Sequence, residues 1–363
     1  MKLTVLGGCA DMARPLFPLL QQSDVFHEVV IADINSDAAT ALADAYGDKF
    51  SARRCDATNA DAVTALLRDC DVVACFVGPF YRFEKPLAQC AISAGAHYVS
   101  IADDYDAYLD VITLDESARM AGVKVLTGFG NSPGITQLLA RMGYNALETV
   151  RRIHVHWCAG AGETVGVSNL THLFHIFNGA TLQWQDGREV RVNTGNGKKR
   201  VSFPEPIGDA HVYYTGHAES VSLPRNLPGL QEVTLHGGVK PHYIVTLLKV
   251  MQRLGVLNSH KRRAALARFF HGLAHWFPAG GYDKSVGRVD VVGEEDGKSV
   301  TLSYTYVGPI AAITALPTFL AATWLASGRF DHKPGGVYAP EALLDAPDTF
   351  IDELRTLGVD IRC

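Results

Sequence analysis

A glycine pair at one strand end and an acid at the next carry the first chemistry legible in this chain. The apolar run Lys2-Leu3-Thr4-Val5-Leu6 breaks on Gly7-Gly8 and gives way to a helical pattern from Ala13 to Leu20. A second apolar run, Val29-Val30-Ile31-Ala32, ends on Asp33. Glycines at such a turn let the backbone approach a pyrophosphate with no Cβ in the way, and the positive end of the following helix holds the anion. A carboxylate about twenty residues further on accepts hydrogen bonds from the hydroxyls of an adenosine ribose. Gly7, Gly8, Cys9, Ala10, Asp11, Met12, Asp33 and Ile34 are therefore expected to line a dinucleotide site. The spacing departs from G-x-G-x-x-G. Gly7-Gly8-x-Ala10-x-x-Ala13 has alanine at two positions where glycine is commoner, and a plain strand–helix turn would show the same residues. Asp33 would repel a 2′-phosphate, and Ile34 and Asn35 offer no cation to offset it, so NAD is preferred over NADP. Arg53 and Arg54, at the end of the third strand, are the residues that would reverse that preference.

Further groups fall at other strand ends. Asp56, beside Ala57, is placed either to touch the adenine amino group or to cap the helix from Asn59. The all-apolar strand Asp71 to Val77 ends in Gly78-Pro79-Phe80, so Val77 to Phe80 should flank the nicotinamide half of the cofactor. A later strand, His97 to Ala102, ends on Asp103-Asp104, and another runs into Gly128 to Gly134. His172 and His175 have i,i+3 spacing but no acidic third ligand close in sequence, so no metal is expected.

Several strand ends of this kind on one edge require an alternating β/α sheet to position them. The fold expected is α/β, a Rossmann-type doubly wound parallel sheet. From about Thr149 the rhythm changes to period-2 strands at Arg152–Trp157, Glu189–Val192 and Glu232–His236. A hairpin follows, Arg288–Gly293 with Ser299–Tyr306, turned through Glu295-Asp296-Gly297. These strands suggest an antiparallel or mixed sheet covered by helices around Leu170–Phe177 and Tyr243–Leu254.

At 363 residues two domains are expected, and 47% hydrophobic with 20% charged residues are the proportions of a globular protein. A net charge of −5 gives no electrostatic case for nucleic acid, and the basic run Lys261-Arg262-Arg263 with Arg268 reads as a solvated helix face. Seven cysteines with no CxxC pair read as core residues of a reducing compartment. With no leader-like segment at Met1, the cytoplasm is expected. Pro309 to Ala326 is apolar or small almost throughout. It is interrupted by Pro317 and falls short of a span, so a buried or interface helix is expected rather than a transmembrane one.

The stretches Val5 to Ala13, Val77-Gly78-Pro79-Phe80, Gly95-Ala96-His97-Tyr98-Val99, Gly130 to Ile135, Ser222-Leu223-Pro224-Arg225 and Gly335 to Glu341, in this order and spacing, resemble the saccharopine dehydrogenase-like (saccharopine reductase-like) oxidoreductases over nearly the whole chain. The resemblance implies a Rossmann domain completed by carboxyl-terminal residues (1–135 plus about 309–363). It also implies an inserted α+β substrate and dimerisation domain (136–308), a homodimer, and NAD(P)-linked chemistry at a C–N bond. Ser100 stands where such proteins often carry an aspartate, so the lysine–glutamate adduct is not assumed as substrate. Imine reduction needs a hydride, a proton for nitrogen and groups for the substrate carboxylates. Tyr98, Asp103 and Asp104 are the proton candidates, although the two acids would equally cap the next helix. Arg225 is the first choice for a carboxylate. Asn131, Ser132 and Pro133, at a helix start, and His156 and His236, on alternating strands, complete the substrate candidates. Two other readings stay open: reduction of a carbonyl or activated C=C in an apolar substrate, and a non-catalytic nucleotide-binding protein.

Overall fold

A computed structural model describes residues 1–163, 166–274 and 282–363. The chain divides into two compact units, Met1–Gly134 with Ala311–Leu343, and Ile135–Ile310 with Leu344–Cys363.

The first unit opens with six short strands, β1 (Lys2–Leu6), β2 (Glu28–Asp33), β3 (Phe50–Arg54), β4 (Val72–Cys75), β5 (His97–Ser100) and β6 (Lys124–Leu126). β4 is buried at every position. A strand covered by helices on both faces has no wet side, which explains its unbroken apolar run. The second unit contributes β7 (Thr149–Gly160), β8 (Ala180–Gln185), β9 (Arg188–Asn193), β10 (Lys199–Ser202), β11 (Asp209–Tyr214), β12 (Glu232–Lys240), β13 (Ser285–Glu295) and β14 (Lys298–Gly308). The chain then returns to the first unit through the buried helix Ile310–Ala326 and β15 (Gly336–Tyr338), and ends in β16 (Asp360–Arg362).

The first sheet is parallel throughout, in the order β15-β6-β5-β4-β1-β2-β3. The strand order reverses at β1, between β4 and β2, where an open α/β sheet leaves a crevice at its carboxyl edge. The second sheet is mixed, β10-β11-β12-β7-β13-β14-β16, with only β12 and β7 parallel along that path; β8 leaves it from β12 and pairs with β9. The α/β architecture with a second, largely antiparallel sheet is the one expected.

The hairpin forms as the sequence indicates. Glu295 pairs with Lys298, and Asp296 and Gly297 both have positive φ, the requirement of a tight two-residue turn. Two local expectations differ. The helix expected from Ala13 is split into a 3-10 turn, Asp11–Ala13, and a helix Leu16–Gln22, because Pro15 and Pro18 lack amides for an earlier start. The closing segment also divides: 311–343 pack with the first unit, while 344–363 join the second, where β16 extends the sheet beside β14. The helix Ile310–Ala326 is largely buried, with Thr318 Oγ donating to the Phe129 carbonyl at 2.7 Å. No helix among the described residues is long and apolar enough to cross a membrane.

In the second sheet, alternate residues of β7, β12 and β13 (Ile153, Val155, Val233, Leu235, Val289, Val291) are fully buried. Bulky rings here lie over glycines. A Cβ on Gly237 would come within 2.2 Å of the Trp157 indole, and one on Gly287 within 2.2 Å of the Tyr306 ring. Gly237→Ala is therefore expected to lower stability by about 1–3 kcal/mol through overpacking, read as a fall in the urea midpoint. A Gly237→Ala protein as stable as the parent would show that the Trp157 ring can move aside.

Candidate functional site

The carboxyl edge of the first sheet gathers the expected nucleotide residues. Gly7 has φ of +71°, and a Cβ there would lie 3.0 Å from the Phe76 backbone and 3.0 Å from Val77 Cγ2. At Gly8 a Cβ would lie 2.8 Å from Ile31 Cγ2. The first glycine is fixed by backbone conformation and by the approach of the loop after β4; the second lets the loop pack down on β2. Asp33 closes the turn. Its Oδ2 accepts the Cys9 amide and its Oδ1 the Asn35 amide, both at 3.0 Å. Burial, then the Asp33 charge, push the Cys9 thiol up to about 11, so Cys9 is a small neutral wall and no nucleophile. Asp11 and Met12 open the 3-10 turn, and the first amides of such a turn have no acceptor inside it. Ile34 follows Asp33 and is 61% exposed.

Asp56 lies beside the Asp33 strand end, where the Cys55 amide donates to the Asp33 carbonyl. Its Oδ1 accepts both the amide and the hydroxyl of Thr58, which hold the carboxyl below its ordinary range. Asn59, not Asp56, caps the next helix, accepting the Ala62 amide at 3.1 Å. Asp56 and half-buried Ala57 therefore form a turn at the adenine end of the edge. Val77, Gly78 and Pro79 form the loop that meets Gly7, and Phe80 starts the helix Phe80–Ala94.

The proton candidates separate. Tyr98 is 0% exposed, and its hydroxyl donates to Glu84 Oε2 at 2.9 Å. It is a core group on β5, and burial raises its own pKa well above the usual phenol value. Tyr98, expected as a proton donor, points into the helix layer, toward Glu84. Asp104 does not cap its own helix, Tyr105–Val111. It is buried, and its Oδ2 accepts the Tyr81 amide at 3.0 Å, in the first turn of the preceding helix. Asp103 is half-buried between β5 and that helix.

Glu84 went unnoticed in the sequence. It is fully buried and accepts three hydroxyls, from Tyr98, from Ser100 at 2.6 Å and from Thr127 at 2.8 Å. Desolvation raises its pKa, the three donors oppose that, and the Asp104 charge adds to the rise. The signal was present: positions 80, 84, 87, 88 and 91 form the buried stripe of this helix, and Glu84 is the acid on it.

Asn131, Ser132 and Pro133 precede their helix and do not open it. Gly134 folds back on Gly130 with φ of +127°, and the helix starts at Ile135. Asn131 Nδ2 donates to Thr314 Oγ at 2.9 Å, and Ser132 is buried. In the second unit, Arg225 ends the helix Glu219–Asn226 in an exposed pair with Glu189 at 3.2 Å. His156 and His236 face each other in register on β7 and β12, with ring centres 5.4 Å apart. Tyr214 stacks on His236 at 4.5 Å, and Asp290 lies 4.0 Å from His156 Nε2. Burial depresses both rings, His236 to about 3, so both are neutral near pH 7.

Residues 3–126 match the family model of the saccharopine dehydrogenase NADP binding domain. The whole chain is similar in structure to apo saccharopine dehydrogenase (L-Glu forming) from Saccharomyces cerevisiae, with a TM-score of 0.71, 16% identity, and 99% of each chain covered. It is also similar to the homospermidine synthase from Legionella pneumophila in complex with NAD, with a TM-score of 0.64, 16% identity, and 99% of this chain and 90% of that one covered. Residues 3–126 thus match that binding domain, and the chain shares the fold of saccharopine dehydrogenase.

The buried groups give stability two opposed pH slopes. Glu84 binds its proton more tightly in the folded state, so its contribution falls as pH rises above the ordinary glutamate value. His156 and His236 bind protons more tightly when unfolded, so theirs is lost as pH falls below about 6.5. Glu84→Gln should flatten the first slope and His236→Gln the second, in urea midpoints measured from pH 4 to 9. Unchanged slopes in both variants would contradict this assignment.

Proposed function

We propose that the chain is a nicotinamide-dinucleotide oxidoreductase that reduces an imine, or oxidises the matching secondary amine, formed between an amino-acid or polyamine nitrogen and an oxo acid. The supporting observation is the Gly7-Gly8 turn, where two Cβ positions are closed by packing, joined to the Asp33 carboxylate at the sheet's switch point. The residues fit a dinucleotide: the turn would hold the pyrophosphate, Asp33 the adenosine ribose, Asp56 and Ala57 the adenine side, and Val77 to Phe80 the nicotinamide side. When bound, that cofactor supplies the hydride.

Asp33 already accepts two loop amides, one on each oxygen, so it is oriented before a ribose arrives, and its remaining lone pairs are acceptors for the 2′- and 3′-hydroxyls. A 2′-phosphate in that place would meet its charge, which is the basis for NAD over NADP; Arg53 and Arg54 are the residues through which NADP would enter. Asp103 is the group we assign to the proton at the substrate nitrogen, with Asp104 positioning the segment through the Tyr81 amide. An iminium arrives already protonated, so Asp103 needs only to stabilise that charge. Asn131 and Ser132 are assigned to the substrate's polar groups. The second unit is assigned the remaining substrate contacts and a homodimer interface, in a cytoplasmic enzyme. Support for C–N chemistry comes from the two similar structures, an L-Glu-forming saccharopine dehydrogenase and a homospermidine synthase, whose products are both amines.

Titration of the protein with NADH and with NADPH, followed by fluorescence, tests the reading. NADH should bind more tightly, and Asp33→Ala should weaken it by about tenfold to a hundredfold, the worth of hydrogen bonds to a charged group. Gly7→Ala should abolish binding. Equal or tighter NADPH binding would move the 2′ contact to Arg53 and Arg54. Binding of neither would end the oxidoreductase reading. With the cofactor known, turnover of amine and oxo-acid pairs, lowered in Asp103→Asn, tests the substrate class.

A further inference from the structure

Charge is unevenly distributed along the chain. Between Glu232 and Asp283 lie fifty residues with seven Lys and Arg and no Asp or Glu, leaving 26 basic against 38 acidic residues elsewhere. Within this segment the helices Tyr243–Arg253 and His260–Ala274 feed one core through Val245, Leu248, Met251 and Ala267. Their outer faces are not those of ordinary surface helices. Five of the eight large hydrophobic side chains exposed among the described residues are here: Tyr243 (64%), Leu247, Val250, Leu254 (73%) and Phe269 (60%). The first four recur at i, i+4, i+7 and i+11, so they form one stripe opposite the core-facing one.

The cations, Lys240 apart, are spread over both helices. Three have work inside the unit: Lys240 donates to the Ile207 carbonyl, Lys249 lies over the Tyr213 ring at 4.8 Å, and Arg263 donates to the Leu257 carbonyl at 2.9 Å. Arg253, Lys261, Arg262 and Arg268 are exposed, and among the described residues none is ion-paired.

We propose that the outer faces of these two helices dock the protein on an anionic lipid surface. Aliphatic and aromatic side chains enter the headgroup boundary while lysines and arginines meet phosphate. Charge complementarity selects this occupant. A second copy of the same face would set cation against cation. A nucleic acid would satisfy the cations but leave Leu247, Val250 and Leu254 without a use, since phosphate and ribose offer nothing to an aliphatic stripe. The inner stripe is committed to the core, so the contact is peripheral. The inference is independent of the nucleotide site.

The full chain is incubated with vesicles of phosphatidylcholine, alone or mixed with phosphatidylglycerol, and sedimented. It should partition onto the mixed vesicles only, and less as salt is raised. Arg262→Glu with Arg268→Glu should weaken partitioning by about fivefold or more per cation. Leu247→Ser with Leu254→Ser should weaken it at least as much, while melting temperature and NADH titration stay as in the parent for both pairs. No partitioning onto either vesicle would overturn the proposal. So would partitioning indifferent to the leucine substitutions, or retention of single-stranded RNA by a protein that ignores vesicles.

Discussion

One carboxylate removed from water orders the working edge of the first sheet. Leaving Glu84 buried without partners would cost several kcal/mol, about the penalty of any ion taken into a protein interior. Three hydroxyls meet it instead, from β5 twice and from the residue after β6. Because those donors belong to two neighbouring strands and the acceptor to the helix Phe80–Ala94, the carboxylate fixes where that helix begins relative to the strand ends. Asp104 completes the arrangement by accepting an amide from the first turn of the same helix. The loop Val77–Pro79, which meets Gly7, is held at its far end by this network.

The two units solve the polar-burial problem differently. In the first, Glu84 and Asp104 bury their carboxyls around the start of one helix, met by three hydroxyls and a backbone amide. In the second, the buried polar row is neutral: His156 and His236, with Tyr214 stacked on one of them. Depressed imidazoles make poor proton carriers at neutral pH, so a role for them as acids in turnover has little support in their surroundings.

What could be read in the sequence follows from periodicity. The Gly7-Gly8 turn, Asp33 and the Asp296-Gly297 hairpin were legible because each depends on local conformation or on contacts between adjacent elements. The place of Tyr98 was not legible because the short strand His97–Ser100 gives no sign of which side chains reach the edge. Asp56 and Asn59 are both good caps, and only the Thr58 hydrogen bonds decide between them. Arg225 pairs with Glu189, thirty-six residues away in sequence, which no spacing rule anticipates. Glu84 was legible in principle, as the acid on an otherwise apolar helical stripe.

The pairing of β15 with β6 joins residues 336–338 to 124–126. A ribosome releasing about 5–20 residues per second makes the earlier strand roughly ten to forty seconds before its neighbour. Throughout that interval the nascent first sheet has an open edge at β6, with unpaired amides and carbonyls that invite foreign strands. The shortness of β6, three residues, limits what can attach there. The open stage ends when β15, made some two hundred residues later, pairs with β6 and closes that edge.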